Sequence, residues 1–212
     1  SLQPHARCAA ALGRRQVGLM GEAYRPGAGL GLWQLSLAQF RHSVAERALP
    51  GCGAVTAVSA DLAMALIVKA LWVSAAHGDA ACNALLADAR SLLGRPGAFA
   101  DDDVAVFSEY LKDNEGRVPE LSRQACAVPL ATAHACVEAL GIAERALPMV
   151  EPSLRCDVEA AVLLLSACVD AVLLNVEADM DEMDAQARAD VQSACERLRQ
   201  QSTQLRDRLN AR

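Results

Sequence analysis

The sequence predicts an all-α fold, a helical bundle built around two central apolar helices. Residues that favour helices (Ala, Leu, Glu and Arg) dominate the 212 positions, and aromatic residues make up only 3%. The alternation of Val, Ile, Thr and Tyr that is typical of strands is missing almost everywhere. Because 53% of the residues are hydrophobic, the chain has enough apolar side chains for a core and is too apolar to be disordered.

The first 31 residues differ in composition from the rest. They are rich in Gly and Arg, and Glu22 is their sole acid. The apolar stretch CAAAL is too short for the core of a signal peptide. We therefore expect a flexible extension over residues 1–31 and a single helical domain over residues 32–212.

The hexamer AERALP occurs at 45–50 and again at 143–148. Proline disfavours helical geometry in the preceding residue and supplies no helical N–H, so each copy predicts the end of a helix. The first of these helices begins after Ser36, a residue type that caps helix N-termini. Since the flanks of the two copies do not match, the hexamer does not indicate a repeat architecture.

Two long apolar segments, 54–76 and 158–176, follow the two hexamers. Both are long enough to cross a membrane. The first contains Asp61 and Lys69 and the second contains Asp170, however, and a charge in the middle of a membrane helix costs a few kcal/mol. We therefore interpret them as the buried central helices of a soluble bundle.

The remaining segments also predict helices. One covers 80–93 and ends at the breaker GRPG, the next begins at Asp101–Asp103, and a third covers 118–147. The charged segment from Met180 to Arg212 has apolar residues at intervals of three and four. It is expected to be an amphipathic closing helix that lies along the bundle or on a second subunit.

Composition excludes several classes of function. A net charge of −6 and few aromatic residues argue against binding to nucleic acid, and no Lys/Arg-rich helix is present for a membrane surface. The eight cysteines include no C-x-x-C pair and are expected to be reduced thiols in a cytoplasmic protein. The four histidines show no ligand spacing, so we predict no metal and no cofactor.

Two turns carry residues that could perform chemistry. In PGCGAV, Pro50, Gly51 and Gly53 precede an apolar helix, where backbone N–H groups could meet a ligand or could simply form a helix–turn–helix connection. In RCDVEA, Arg155 and Asp157 stand where the second apolar helix begins. Asp157 could cap that helix or act as a general acid/base at the edge of an apolar cleft.

These motifs together resemble the cyclodeaminase/cyclohydrolase family. Pro50, Gly51 and Gly53 match its Pro-Gly-Gly-Gly-Ser motif, and Asp103 with Phe107 matches its Asp-Ala-Glu-Ala-Phe stretch. Val-Pro-Leu is intact at 128–130, the Asp of a Ser-Asp pair is Asp157, and an Asn-Val pair is found at 175–176. The resemblance runs from about Trp33 to the C-terminus.

The resemblance implies a homodimeric helical bundle that binds a folate in a cleft between its subunits. It implies either hydrolysis of 5,10-methenyltetrahydrofolate or cyclisation of 5-formiminotetrahydrofolate with loss of ammonia. Asp157 would carry the catalytic proton, and Asp103, Asn175 and Arg155 would contact the substrate together with the glycine turn. That turn and Asp157 would share one cleft lined by the two apolar helices.

The sequence also departs from this family. The Lys-Lys element after the first apolar helix is replaced by Trp72 and the residues that follow it, and the Gly-Asn element before Asp157 is missing. A folate tail would need other cations, for which Lys69, Arg117, Arg123 and Arg155 are the candidates. The alternative is a non-catalytic descendant that serves as a helical, partner-binding dimer.

Overall fold

The structure is a computed structural model that describes residues 31–76, 80–112, 118–180 and 183–211. The predicted flexible extension, apart from Gly31, lies outside the described residues. The helices are α1 (Leu37–Glu46), α2 (Cys52–Ala75), α3 (Ala80–Leu92), α4 (Arg95–Lys112), α5 (Val118–Ala146), α6 (Arg155–Asp179) and α7 (Ala185–Asn210). Short 3-10 turns at Leu32–Gln34 and Pro152–Leu154 precede α1 and α6.

The predicted helix ends at the two hexamers are confirmed. Ser36 caps α1 by accepting the backbone N–H of Gln39, and the Gln39 side chain accepts the N–H of Ser36 in return. Helix α1 ends at Glu46 and α5 ends at Ala146, both within an AERALP copy. Each hexamer therefore ends one helix shortly before an apolar helix begins.

The two predicted apolar helices are the centre of the bundle. Helix α6 packs most extensively against α5 and α2, and α2 also contacts α3 and α4. Helices α2 and α6 run antiparallel, because the start of α2 meets the end of α6 at Cys52 and Asn175 while Lys69 meets Asp157 near the opposite ends. Their fully buried side chains include Met64 and Ile67 on α2 and Leu165 on α6.

The start of α4 differs from the prediction. The helix begins at Arg95, not at Asp101, because Pro96 occupies its second position, where a missing N–H breaks no helical hydrogen bond. Gly94 adopts a φ of 87° and ends the preceding helical segment. Asp101–Asp103 therefore lie in the second and third turns of α4 rather than at its N-terminus.

Asp61 of α2 supports this α3–α4 corner. Its carboxylate accepts the backbone N–H of Gly94 at 2.7 Å, and a hydrogen bond from the Gly97 backbone also stabilises it. Burial raises the pKa of Asp61, and those two hydrogen bonds oppose the increase. Asp61, a charged residue in the middle of an apolar helix, thus caps the start of a neighbouring helix.

The closing segment is an amphipathic helix, as predicted, with a break before it. Helix α6 ends at Asp179, and α7 begins only after Asp184, whose side chain accepts the N–H of Ala187. Helix α7 lies along α5 and α6 and buries Cys195, Leu198, Leu205 and Leu209. The sequence allowed this segment to lie along its own bundle or on a second subunit, and the structure shows it along its own bundle.

Two described helices are long and apolar enough to cross a membrane by length and composition alone. They are Cys52–Ala75 and the segment Ala125–Ala146 of α5. The same test is passed by core helices of soluble bundles, and about half of each segment is buried against its neighbours. Their length is therefore weak evidence for a membrane position.

Candidate functional site

The predicted site residues separate into two groups at opposite ends of the central helix pair. The glycine turn, Asp103 and Asn175 lie at the end where α2 begins and α6 terminates. Arg155 and Asp157 lie at the other end, where α6 begins. We call these the glycine-turn end and the Asp157 end.

Within one chain Asp157 and the glycine turn are far apart, and the cleft between subunits that both would share stays a prediction. Asp157 and Asn175 are on the same straight helix, and 18 residues at 1.5 Å per residue place them about 27 Å apart. The sequence suggested proximity because both turns deliver the chain into a central helix. Since the two helices are antiparallel, their starts are at opposite ends of the bundle.

At the glycine-turn end, Asp103 lies directly against Gly53. A β-carbon on residue 53 would overlap the Asp103 carboxylate, with its Cγ only 2.6 Å away. The Asp103 carboxylate also accepts a hydrogen bond from the backbone of Ala54, in the first turn of α2. The absence of a side chain at position 53 is thus what lets a carboxylate of α4 reach the N-terminus of α2.

The environment of Asp103 makes it the strongest candidate for acid/base chemistry in the described structure. Burial raises its pKa to about 6, the negative charge of Asp179 contributes to the increase, and the Ala54 hydrogen bond opposes it. A carboxyl group with a pKa near neutrality can both accept and donate a proton under physiological conditions. The family motif predicted only that Asp103 contacts the substrate.

A shallow depression opens beside Asp103. Its cavity volume is about 10 Å³, which is roughly enough for one water molecule. The depression of one chain is therefore too small to hold a folate. The residues that line the depression come from α4, α5 and α6: Asp103, Val106, Ala125, Val128, Asn175 and Asp179.

Asn175 is held at this depression by the glycine turn. The Cys52 thiol donates a hydrogen bond to the Asn175 side-chain oxygen over 3.2 Å. Partial burial raises the pKa of the Cys52 thiol, and the negative charges of Asp103 and Asp179 raise it further. The Cys52 thiol is therefore a neutral hydrogen-bond donor. Its hydrogen bond to the side-chain oxygen fixes the Asn175 amide and leaves the NH₂ group of Asn175 available to other acceptors.

The Val-Pro-Leu motif lies beside the same depression. Pro129 lies inside α5 and has no N–H to donate to the carbonyl of Ala125, one turn earlier. Ala125 and Val128 both line the depression.

At the opposite end, Asp157 forms an ion pair with Lys69 of α2 over 2.8 Å. The side chain of Asp157 is 22% exposed and that of Lys69 is 56% exposed. The hydrogen bond to Asp157 raises the pKa of Lys69. Asp157 is thus half-buried beside a cation, and Arg155 next to it is exposed.

Three residues that line the depression were missed at the sequence level. Asp179 lies one turn after Asn175 on the same face of α6, Val106 lies three residues after Asp103 on α4, and Ala125 lies three residues before Val128 on α5. Helical spacing from residues already identified could have found all three. Of the proposed cations, Arg117 lies outside the described residues, and the side chain of Arg123 is not described.

The described residues contain no group of three or more His, Cys, Asp or Glu side chains arranged to hold a metal ion. The polar groups at the depression are carboxyl, amide and backbone groups. Such a set can bind the edge of a heterocycle by hydrogen bonds and can transfer a proton.

Comparison with known proteins identifies what this chain is similar to. The family model for formiminotransferase-cyclodeaminase matches residues 36–197. Among solved structures, the chain is similar to formiminotetrahydrofolate cyclodeaminase from Thermotoga maritima, with a TM-score of 0.78 and 20% sequence identity. The match covers 85% of this chain and 96% of that one. No curated protein sequence matches significantly.

Proposed function

The chain belongs to the formiminotransferase-cyclodeaminase family, as its motifs indicated, and on that premise we propose that it is an enzyme of folate one-carbon metabolism. Its substrate would carry a one-carbon unit on N5 or between N5 and N10 of tetrahydrofolate. The observation that carries the proposal is Asp103, a half-buried carboxyl with a pKa of about 6 beside Asn175 in the depression at the glycine-turn end.

The first of the two candidate reactions is the hydrolysis of 5,10-methenyltetrahydrofolate. Asp103 would accept a proton from water as the water oxygen adds to the methenyl carbon. It would then return that proton to N5 as the bond between this carbon and N5 breaks. The second proton of the water leaves to solvent, and the product is 10-formyltetrahydrofolate.

The same groups would serve the cyclodeaminase reaction. N10 would attack the formimino carbon of 5-formiminotetrahydrofolate, and Asp103 in its protonated form would donate a proton to the formimino nitrogen. With the proton from N10, this nitrogen leaves as ammonia, and 5,10-methenyltetrahydrofolate remains. In both reactions Asn175 would hydrogen-bond the pterin ring, and the start of α2 would favour a negatively charged Asp103.

Asp157 remains a second candidate for the proton carrier, because it was predicted from the family motif. Its carboxylate forms an ion pair with Lys69 at the opposite end of the helix pair from Asp103. We also propose that the protein acts as a homodimer in the cytoplasm. The small volume of the depression supports the dimer, since a second chain would be needed to enclose a folate.

Two measurements test the proposal. Isothermal titration with tetrahydrofolate should show binding, and no heat at millimolar ligand would instead favour the non-catalytic, partner-binding descendant. Loss of methenyl absorbance should then be followed for the wild type, Asp103→Asn and Asp157→Ala. We expect Asp103→Asn to lower kcat by about 10²–10⁴-fold, the usual contribution of a general acid/base.

Activity of Asp103→Asn at the wild-type rate would contradict the role of Asp103. A large loss of kcat in Asp157→Ala alone would return that role to Asp157. Release of ammonia from 5-formiminotetrahydrofolate distinguishes the cyclodeaminase from the cyclohydrolase.

A further inference from the structure

The depression beside Asp103 has the size of a single water molecule. Its cavity volume is about 10 Å³, and a bound water needs at least about 10–15 Å³ of such space and about two to four polar partners. The polar side chains that line it belong to Asp103, Asn175 and Asp179, and the other lining residues are apolar. The depression is therefore just large enough for one water and offers it several partners.

These polar side chains match the hydrogen-bonding groups of a water that is about to react. A water molecule donates two hydrogen bonds and accepts two. The carboxylates of Asp103 and Asp179 can each accept one of its hydrogens, and the NH₂ group of Asn175 can donate to one of its lone pairs. The second lone pair is not needed by any of these three side chains, so it can form a bond to carbon.

Cys52 gives the Asn175 amide the orientation that this arrangement needs. The Cys52 thiol donates a hydrogen bond to the Asn175 side-chain oxygen over 3.2 Å, so the oxygen is directed to the glycine turn. The NH₂ group is then available to a water in the depression. If the amide turned over, it would present its oxygen there, and an oxygen cannot donate to the lone pair of a water. The family motif has a glycine at position 52, which has no side chain for this contact.

The two carboxylates are close enough to influence each other. Burial and, to a lesser extent, the negative charge of Asp179 raise the pKa of Asp103 to about 6, which makes its carboxylate a stronger base toward water. A carboxylate has about four lone-pair positions. Asp103 can therefore accept from a water in addition to the backbone of Ala54, and Asp179 can do so in addition to its other contacts.

We propose that this depression holds the water that hydrolyses 5,10-methenyltetrahydrofolate, and that Asp179 and Asn175 orient this water toward the substrate. The inference rests on the proposed function for the identity of the substrate, and it adds two residues that contact a reacting atom. Folate lies over the opening of the depression rather than inside it, with its methenyl carbon at the free lone pair. Cys52 is a positioning residue, because it acts through Asn175.

The orientation of the water determines the path of each proton. As the water oxygen bonds to the methenyl carbon, one O–H bond breaks and Asp103 accepts that proton, while the π electrons of the C–N double bond move to nitrogen. In the second step the remaining O–H bond breaks, and its proton passes to Asp179 and then to solvent. The formyl carbonyl forms, the bond from carbon to N5 breaks, and Asp103 returns its proton to N5. The products are 10-formyltetrahydrofolate and one proton.

Replacement of Asp179 tests the site through the reaction that uses the water. Asp179→Asn should lower kcat for hydrolysis about 10–100-fold at pH 8, as expected for the loss of a hydrogen bond to a charged group. Asp103 is charged at this pH, so a change in its ionisation does not contribute. The Kd for tetrahydrofolate should not change. Asp170→Asn, at an exposed acid of the same helix, is the matched control and should keep the wild-type kcat.

The cyclodeaminase reaction provides a comparison within the same protein, because N10 attacks the formimino carbon and no water is needed. Asp179→Asn should therefore reduce hydrolysis and spare the release of ammonia from 5-formiminotetrahydrofolate. A wild-type kcat for hydrolysis in this variant would overturn the role of Asp179. An equal loss in both reactions would overturn it as well, since such a loss would come from damage to the site in general.

A pair of variants at Cys52 tests the orientation of Asn175. Cys52→Ser retains a hydrogen-bond donor to the Asn175 oxygen, whereas Cys52→Ala removes it. We expect Cys52→Ser to keep most of the kcat for hydrolysis, and Cys52→Ala to lose about 3–10-fold with little change in KM. The positioning role of Cys52 is wrong if the two variants have the same kcat.

A crystal structure tests the site without any folate. It should show an ordered water within about 2.5–3.2 Å of a carboxylate oxygen of Asp103, a carboxylate oxygen of Asp179 and the side-chain nitrogen of Asn175. This water should be displaced or missing in Asp179→Ala. A wild-type crystal in which no water bonds to these side chains would contradict the inference.

The outcomes separate this inference from the proposed function. A protein that releases ammonia from 5-formiminotetrahydrofolate but does not hydrolyse 5,10-methenyltetrahydrofolate would remain a folate enzyme, and the role of the water would be refuted. An ordered water at these side chains in a protein that binds no tetrahydrofolate would instead remove the folate chemistry, and the water site alone would stand.

Discussion

The carboxylate of Asp103 occupies the space in which a β-carbon of residue 53 would stand. This contact joins α4 to the first turn of α2 and places a half-buried acid at a helix N-terminus. The glycine turn and the acid therefore act as one unit: the turn provides the space and the backbone hydrogen bond, and the acid provides the titratable group. The first predictions follow from this contact.

Gly53→Ala should destabilise the protein and displace Asp103. Alanine favours a helix over glycine by about 1 kcal/mol, but the new methyl group overlaps a carboxylate held on a packed helix, which costs about 1–3 kcal/mol or more. The cost of the overlap should exceed the gain in helix propensity, so chemical denaturation should show a net loss of stability. Gly51→Ala is the matched control, because nothing lies within 4 Å of its β-carbon position and its φ of −98° suits any residue. Equal stability of the two variants would contradict the contact.

Asp103 should make stability depend on pH. Its pKa is raised to about 6 in the folded state, so between its unfolded pKa near 4 and pH 6 the folded protein binds more protons than the unfolded chain. Stability should therefore fall as the pH rises through that window and stay lower above it. Asp103→Asn removes this dependence on pH. At pH 8 its free energy of unfolding should exceed that of the wild type by on the order of 2 kcal/mol.

The same comparison at pH 4 provides the control. There Asp103 is protonated in the folded protein, so Asp103→Asn should lose most of its advantage over the wild type. Urea unfolding at both pH values measures the difference. If Asp103→Asn were more stable than the wild type by the same amount at pH 4 and pH 8, burial of the Asp103 charge would not be the cause of the added stability.

Catalysis should depend on the same ionisation. If Asp103 accepts a proton from water in the cyclohydrolase reaction, kcat/KM should decline below about pH 6 as this carboxyl becomes protonated. Its neighbour Asp179 lines the same depression, and the negative charge of Asp179 raises the midpoint. Asp179→Asn should therefore move the midpoint to lower pH. A profile that is flat from pH 5 to 8 would exclude Asp103 as the base.

Much of the helical architecture could be predicted from the sequence because local signals determine it. Ser36, the two hexamers and the apolar segments set most helix boundaries through short-range rules. The error at Asp101 arose because GRPG was interpreted only as a breaker, although Pro96 fits the start of a helix. Which ends of α2 and α6 meet depends on tertiary packing, so the separation of Asp157 from the glycine turn could not be predicted from helical spacing.

The candidate site shows the same limit. Asp103, Asn175 and the glycine turn were recognised from motifs, and the structure brings them together. The raised pKa of Asp103 results from burial by α2 and from Asp179 on α6. Both contacts join residues far apart in sequence, and a motif contains no information about such desolvation.

Asp61 gives a final test, of a structural carboxylate rather than a functional one. Asp61→Ala removes the acceptor for the Gly94 N–H and should cost about 1–3 kcal/mol, because the start of α4 loses its cap in a buried corner. Asp61→Asn keeps an acceptor oxygen and avoids burying a charge, so its stability should lie close to that of the wild type. Asp170→Ala, at an exposed acid of α6, is the matched control and should change stability by less than about 0.5 kcal/mol. If thermal unfolding gave Asp61→Ala the same stability as Asp170→Ala, the acid in the middle of α2 would have no part in capping α4.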